Sequence, residues 1–341
     1  MNDPIHPRRN PSSSDGVAMV IVLWVIMVLS LLISGFAFTM YVETQVASFS
    51  RKELKAEQLA RSGVEVARMQ LLLHMKAGTE AGYEALNQEW VTNTVLYVDH
   101  ELGEGKYTVK VIDEESKLPI NLVTQDQLRR VMDLLGVEPS DGDVIVDSIL
   151  DWREPGELHR LNGAKSDYYQ SLSPPYVVKG APFDRIEELL LVRGVTRDLF
   201  YGTDTNAEQT TTLGLKDFFS ASPAGKLNVN TATNVVLQAL LGVEDDQVAA
   251  LLNRRDGIDG IPGTDDDRPF NSTDEFVAEL HGSVNPQILA TVQPLLTVRS
   301  SYFNVKSTGE VGGVKRTIIA ILQRQDPYVT TVSWNEVRGG L

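Results

Sequence analysis

Val17 to Phe38 is a run of 22 residues that is apolar except for Ser30, Ser34 and Gly35. As a helix rising 1.5 Å per residue it spans a hydrocarbon core of about 30 Å. Arg8 and Arg9 stand before it, so the positive-inside rule holds the short N-terminal segment in the cytoplasm and sends the acidic remainder across. A cleavable secretory signal fits poorly. Its apolar region is shorter, about 7–15 residues, and closes on a small-residue site that is missing here. Nothing around Arg8-Arg9 continues a twin-arginine motif.

The run does not end in a turn. From Tyr41 to Lys76 there is no proline, and Gly63 is the single glycine. Val42, Val46, Phe49, Glu53, Ala56, Ala60, Gly63, Ala67 and Leu71 recur at 3-4 spacing and draw one stripe along a helix. Arg51, Lys55, Arg61, Glu65 and Arg68 lie opposite. One continuous helix of roughly 60 residues and about 90 Å is expected to run from membrane into solution. The small residues Ala60, Gly63 and Ala67 predict close approach of another backbone.

Composition removes several function classes. The net charge of -15 opposes nucleic acid, and Arg51/Lys52/Lys55, Arg129-Arg130 and Arg254-Arg255 form no extended basic stripe. With no cysteine there is no disulfide scaffold, thiol nucleophile or zinc–thiolate centre. His6, His74, His100, His159 and His281 are scattered, and neither a P-loop nor a G-x-S-x-G nucleophile motif occurs. No enzymatic activity is expected.

In "KYTVKVIDEESKLPINL", Tyr107, Val109 and Val111 alternate with Thr108, Lys110 and Ile112, a strand pattern. "YFNVKSTGEVGGVKRTIIAILQRQ" predicts two strands joined by a glycine-rich turn at Gly309 to Gly313. Between them the pattern turns helical and repeats itself. "KLPIN" (117–121) answers "KLNVN" (226–230), "LRRVMDLLGV" answers "LQALLGV", "ILDWR" (149–153) answers "LLNRR" (251–255), and "PFDRIEELLLVRGVT" answers "PFNSTDEFVAELHGSV". Each copy is expected to run strand, helix, turn, helix, long loop, helix. Thr124 with Gln127 forms a capping-box signal, Gly136 and Gly242 are helix stops, and Asp184 and Ser272 or Thr273 are candidate N-caps.

A short leader ending in Gly16, an unbroken apolar helix and "LARSGVEVAR" at its soluble end resemble a type IV pilin-like protein. "DWREPGELHRLNGAKSDYY", "APFDRIEELLLVRGVT" and "GKLNVNTAT" extend the likeness to the general secretion pathway protein K family, the minor pseudopilins of type II secretion. "NVNTAT" also resembles helix-hairpin-helix (SAM-like) modules. The resemblance implies an α+β fold: a long N-terminal transmembrane and amphipathic helix, a small antiparallel pilin-like sheet, and a large, mostly helical insert. The expected divisions are a leader (1–16), a transmembrane helix (17–38), a first pilin-like part (39–117), two insert repeats (118–225 and 226–299), C-terminal strands (300–325) and a tail (326–341).

The same resemblance implies a single-pass protein of the inner membrane with its C-terminal domain in the periplasm, cut by a prepilin peptidase between Gly16 and Val17. Implied partners are the I-type and J-type minor pseudopilins, the major pseudopilin, the inner-membrane assembly platform, and the secretin or exported cargo. The family usually has Glu at the fifth mature position, where this chain has Ile21; such an apolar residue suits the subunit with nothing above it. No cofactor is required on this reading, and calcium is the ion that the resemblance associates with the insert. Its candidate ligands are Asp151, Glu154 and Asp167 in one loop and Asp256, Asp259, Asp265 and Asp267 in another, since calcium takes several oxygens on a flexible loop. The alternative is a membrane-anchored helix-hairpin-helix protein that takes up DNA. Its hairpin turns, "GVEPSDGD" and "GVEDDQ", would point acids at phosphate.

Overall fold

The computed structural model describes residues 14–77, 82–205, 210–280 and 282–338. Helix α1 (Ser14–Ala77) is unbroken over 64 residues, about 96 Å at 1.5 Å per residue. Every residue from Val17 to Lys52 is exposed, so nothing among the described residues covers the apolar half. The second half lies on a sheet of five antiparallel strands in the order β1 (His100–Leu102), β2 (Gly105–Asp113), β3 (Tyr302–Val311), β4 (Val314–Gln325) and β5 (Tyr328–Arg338).

The small-residue stripe admits another backbone as expected, and that backbone is the chain's own sheet. Ala56, Ala60, Gly63 and Ala67 are buried against the chain's own sheet rather than left free for another helix. A Cβ on Gly63 would overlap Ser307 Oγ and lie 2.8 Å from Val109 Cγ2. One on Gly309 would overlap the Ala56 carbonyl and lie 2.7 Å from Ala60 N. Helix and sheet backbones therefore meet where both lack side chains. Glu53 sits in the stripe because it forms an ion pair with Arg316 of β4.

The turn between β3 and β4 is also narrower than the sequence suggested. Gly312 and Gly313 make it alone, with φ of +53° and +81°, closing the pair Val311–Val314. Positive φ at both central residues is what a two-residue hairpin needs. Gly309 is a strand residue, kept small by α1. The segment expected as a tail is β5, paired with β4 from Gln325–Tyr328 to Arg316–Arg338 with a bulge after Ile321.

The insert leaves β2 after Asp113 and returns at β3, and Asp113 is the register partner of Phe303. Its two ends are thus neighbours and the sheet closes beneath it. Its six longer helices are α2 (Gln125–Leu134), α3 (Pro139–Arg153), α4 (Asn234–Leu241), α5 (Asp245–Arg255), α6 (Thr273–Glu279) and α7 (Pro286–Val292). Thr124 and Gln127 form the capping box of α2, and Gly242 ends α4 in the left-handed conformation. Ser272 caps α6. "PFDRIEELL" instead forms a 3-10 turn, Ile186–Leu191, with Arg185 rather than Asp184 at its cap position. Glu188 Oε1 reaches back to accept from Asp184 N at 2.9 Å and Arg185 N at 3.1 Å, which takes the capping work from Asp184.

The two copies are built on the same three clamps. In the first, Asn121 Nδ2 donates to Phe183 O at 2.9 Å and its Oδ1 accepts from Phe183 N at 2.7 Å. In the second, Asn230 does the same with Phe270, at 2.9 and 2.8 Å. Arg153 donates to the carbonyls of Ile120 and Val123 at 2.5 and 2.8 Å, and Arg255 to those of Val229 and Ala232 at 3.0 and 2.6 Å. Lys117 and Lys226 each donate to a distant carbonyl, of Lys216 at 2.8 Å and Pro294 at 2.5 Å. Buried carbonyls beyond a two-residue strand need donors, and each copy supplies the same ones. The copies share one core, and Arg130 of the first donates to Ala239 and Leu240 at the C-terminal end of α4.

Candidate functional site

Three features carry chemistry: the bare half of α1, the seam between sheet and insert, and the acidic loops.

No charged side chain occurs from Val17 to Val42, and Ile21 is an exposed apolar residue of that face. A helix apolar enough to cross a membrane begins at Val17. The Gly16–Val17 bond lies in the first turn of α1, and residues 1–13 of the expected leader fall outside the described residues.

The seam was not legible in the sequence. Asp113, fully buried at the end of β2, accepts through Oδ2 from Thr231 Oγ1 and Ser300 Oγ, both at 2.6 Å, and from Asn228 Nδ2 at 3.3 Å. Glu84 accepts from Ser300 N at 2.7 Å and pairs with Arg324 of β4. Glu115 accepts from Ser301 N at 2.7 Å. Burial pushes the Asp113 carboxyl up to about 6, against the pull of its hydroxyl donors. Burial, with Asp113 beside it, pushes Glu115 up to about 8. The only hint in sequence was the acid run Asp113-Glu114-Glu115 at a strand end.

The seam also fixes where the insert sits. β2 starts beside Leu59, crosses α1 at Gly63 opposite Val109, and ends at Asp113, next to the Glu84 whose carboxylate is 3.8 Å from His74 Nε2. The insert therefore emerges at the end of α1 farthest from the apolar half.

The seven acids expected for calcium do not come together. Asp151 and Glu154 are both taken by Arg160, each at 2.7 Å, and its guanidinium holds Glu154 below the usual carboxylate range. Asp167 stands apart, exposed in the first turn of the short helix Ser166–Gln170. Asp256 is buried in a pair with Arg255 at 2.6 Å. In the second loop, Thr264 Oγ1 lies 2.7 Å from Asp266 Oδ1, 3.3 Å from Asp267 Oδ1, 3.4 Å from Asp259 Oδ1 and 3.2 Å from Ile261 O. One hydroxyl has one proton, so it can satisfy one of these four oxygens. The surplus of oxygen acceptors is what a hard cation takes, whereas the first loop is already neutralised by arginine. Asp265 is exposed and outside this group, and Asp266 replaces it. Among the described residues no three such side chains converge as a ready metal centre.

Residues 114–300 hold 30 of the 46 Asp and Glu but 16 of the 31 Lys and Arg, a net charge of -14. The second hairpin turn carries Glu244, Asp245 and Asp246 at the start of α5, and Asp245 accepts from Asn234 and Gln238. Carboxylates occupy the place where a helix-hairpin-helix module offers amides to phosphate, which argues against the DNA-uptake alternative. Tyr169 of the "SDYYQ" helix is buried edge-on to Trp152 at 5.3 Å, a packing role.

Family models for protein K of the type II secretion system match residues 106–202 and 227–299. The type II secretion system protein K of Aeromonas hydrophila is 24% identical over 331 residues, spanning 91% of this chain and 92% of the relative. The fold is similar to a chain in the crystal structure of the GspK-GspI-GspJ complex from the enterotoxigenic Escherichia coli type 2 secretion system. That likeness has a TM-score of 0.69 at 19% identity and covers 86% of this chain and 100% of the other.

Proposed function

The chain belongs to the type II secretion system protein K family, and on that footing we propose that it is the minor pseudopilin that caps the tip of a short periplasmic pseudopilus and helps start its assembly. The observation that carries the tip position is the placement of the insert at the end of α1 distal to its apolar half. Bulk there blocks a subunit above and leaves the helix free for subunits beside and below.

In this reading the apolar half of α1 sits in the inner membrane and the rest in the periplasm, after a prepilin peptidase has cut between Gly16 and Val17. The I-type and J-type minor pseudopilins pack along the bare face from Val17 to Lys52, since the stripe beyond it is already covered by the sheet. The major pseudopilin and the assembly platform act from below. The insert faces the secretin or the cargo. Ile21 suits the top subunit, because a carboxylate there would meet no amine and would cost several kcal/mol in hydrocarbon. Calcium, held by Asp259, Asp266 and Asp267, would neutralise the second loop.

The chain has no cysteine, so one introduced on the insert can be labelled alone. Sheared pseudopili carrying gold on that cysteine should show a single particle at one end. Particles spaced along the filament would refute the tip position. Mass spectrometry of the membrane-extracted protein tests processing separately: an N-terminus at Val17 is expected.

A further inference from the structure

Three large apolar side chains among the described residues are more than nine-tenths exposed: Leu158 at 94%, Leu161 at 93% and Ile258 at 93%. All three lie in the loops that follow the second hairpin helix, after Arg153 in the first copy and Arg255 in the second. Ile261 repeats the spacing of Leu161, three residues beyond its partner. The corresponding loops of the two copies thus each present an exposed apolar pair.

The first loop cannot fold its leucines away. Asp151 accepts from Arg160 N at 3.0 Å and from its guanidinium at 2.7 Å, and Glu154 takes the other guanidinium nitrogen at 2.7 Å. Asp147 accepts from Asn162 N at 3.2 Å. The buried Lys165 donates to the carbonyls of Asp151 and Glu154, each at 2.5 Å. Residues 160 and 162, on either side of Leu161, are therefore fixed, and Leu158 stands within the arch between Glu154 and Arg160. These bonds, anchored on the buried Asp147, Asp151 and Lys165, hold a two-pronged apolar tip in water. An apolar tip whose ordering entropy is already spent is a strong anchor for binding.

We propose that Leu158 and Leu161 dock into an apolar socket, rimmed by lysine or arginine, on another protein. The rim follows from charge. Glu157, beside Leu158, is exposed and has no partner among the described residues, and the insert carries a net charge of -14. Exposed Asp259 and Asp265 flank the second tip in the same way. Anionic lipid and nucleic acid are repelled by such a surface. The inference stands on the loop alone and does not depend on where the subunit sits in a filament.

The test uses the full chain in the membranes of secreting cells, with photoactivatable benzoylphenylalanine at position 157 and, as a control, at exposed Lys110 on the sheet. Adducts from position 157 should map to one protein, at an apolar patch bordered by Lys or Arg. Leu158→Ser with Leu161→Ser should weaken that contact about a hundredfold, bringing the adduct to background, because two leucines lose their burial. Amide exchange in α2 and α3 should be unchanged in this variant, since both side chains are already in water. In a separate chain probed from position 161, Glu157→Lys should lower the yield. Adducts to lipid, to a second copy of the chain or to scattered proteins, no adduct, or a yield indifferent to the serines would overturn the proposal. A yield raised by Glu157→Lys would overturn the basic rim.

Discussion

Gly63→Ala is the sharpest probe of how the long helix is held. In a bare helix alanine is better than glycine by about 1 kcal/mol. Here the added methyl would overlap Ser307 Oγ and lie 2.8 Å from Val109 Cγ2 and 3.1 Å from Tyr107 Cδ2. Those atoms sit on β2 and β3, at the centre of the sheet, where strands cannot move singly. Overpacking costs about 1–3 kcal/mol, and so close an overlap on two fixed strands takes the upper part of that range, so the net effect should be a loss of about 1–2 kcal/mol despite the better propensity. Ser307 Oγ is buried with no hydrogen-bond partner among the described residues, so Ser307→Gly alone costs little through lost bonding and opens the space the methyl needs. The double variant should recover about 1 kcal/mol relative to the sum of the singles. Amide exchange of β2 and β3 in the detergent-solubilised full chain reads this core separately from the insert. Protection in Gly63→Ala equal to or above the parent, or strict additivity in the double variant, would refute the close-contact argument.

Other expectations follow from the seam and the loops. Asp113 and Glu115 are raised by burial to about 6 and about 8, so the folded seam holds protons that the unfolded chain releases. Their contribution is complete below about pH 4 and is lost as pH rises through those values. Seam stability should therefore fall by on the order of 5 kcal/mol between pH 5 and 9, and Glu115→Gln should flatten the upper part in denaturant titrations. Arg255→Met strands the carbonyls of Val229 and Ala232 and leaves Asp256 buried without its partner, and should lower insert stability by about 3–5 kcal/mol. Calcium at about 100 times its dissociation constant should stabilise the insert by about 2.7 kcal/mol, an increment that EDTA or Asp266→Asn with Asp267→Asn removes in thermal melts.

The legible parts of this molecule are those with a local period. Helix α1, strand β2 and the duplicated helical pattern each write a repeat of 3.6, 2 or about 100 residues into the chain. β5 did not announce itself because it is an edge strand. Tyr328, Val332 and Trp334 are exposed while Val329 is buried, so no clean alternation forms. Arg68 of α1 covers this strand instead, donating to Val329 O at 2.8 Å and Thr331 Oγ1 at 2.7 Å. In "DWREPGELHRLNGAKSDYY" Asp151, Glu154 and the Arg160 that pairs with both were in view, but a string does not say which charge faces which. The seam was hidden for a related reason: Asp113 finds Asn228, Thr231 and Ser300 across more than a hundred residues.

The polar character of that seam bears on how the insert could act. An apolar joint between sheet and insert would have supplied adhesion with many near-equivalent orientations. Buried carboxylates accept only donors placed at specific points, and leaving any one unpaired costs about 1–3 kcal/mol. Asp113, Glu84 and Glu115 thus select one orientation out of many. Two of the donors, Ser300 and Ser301, lie where the insert rejoins β3, and Arg324 reaches in from β4. A load on the insert is passed through these bonds into the sheet, and from the sheet through the Gly63 and Gly309 contacts into α1. On the proposed function, that continuity would let the insert be pushed by its helix rather than folded aside. Asp113→Asn, which keeps the shape but leaves its amide facing the donors of Thr231, Ser300 and Asn228, should loosen exchange at the seam while both cores stay protected. Exchange unchanged at Ser300 and Ser301 would mean that the joint is held by packing instead.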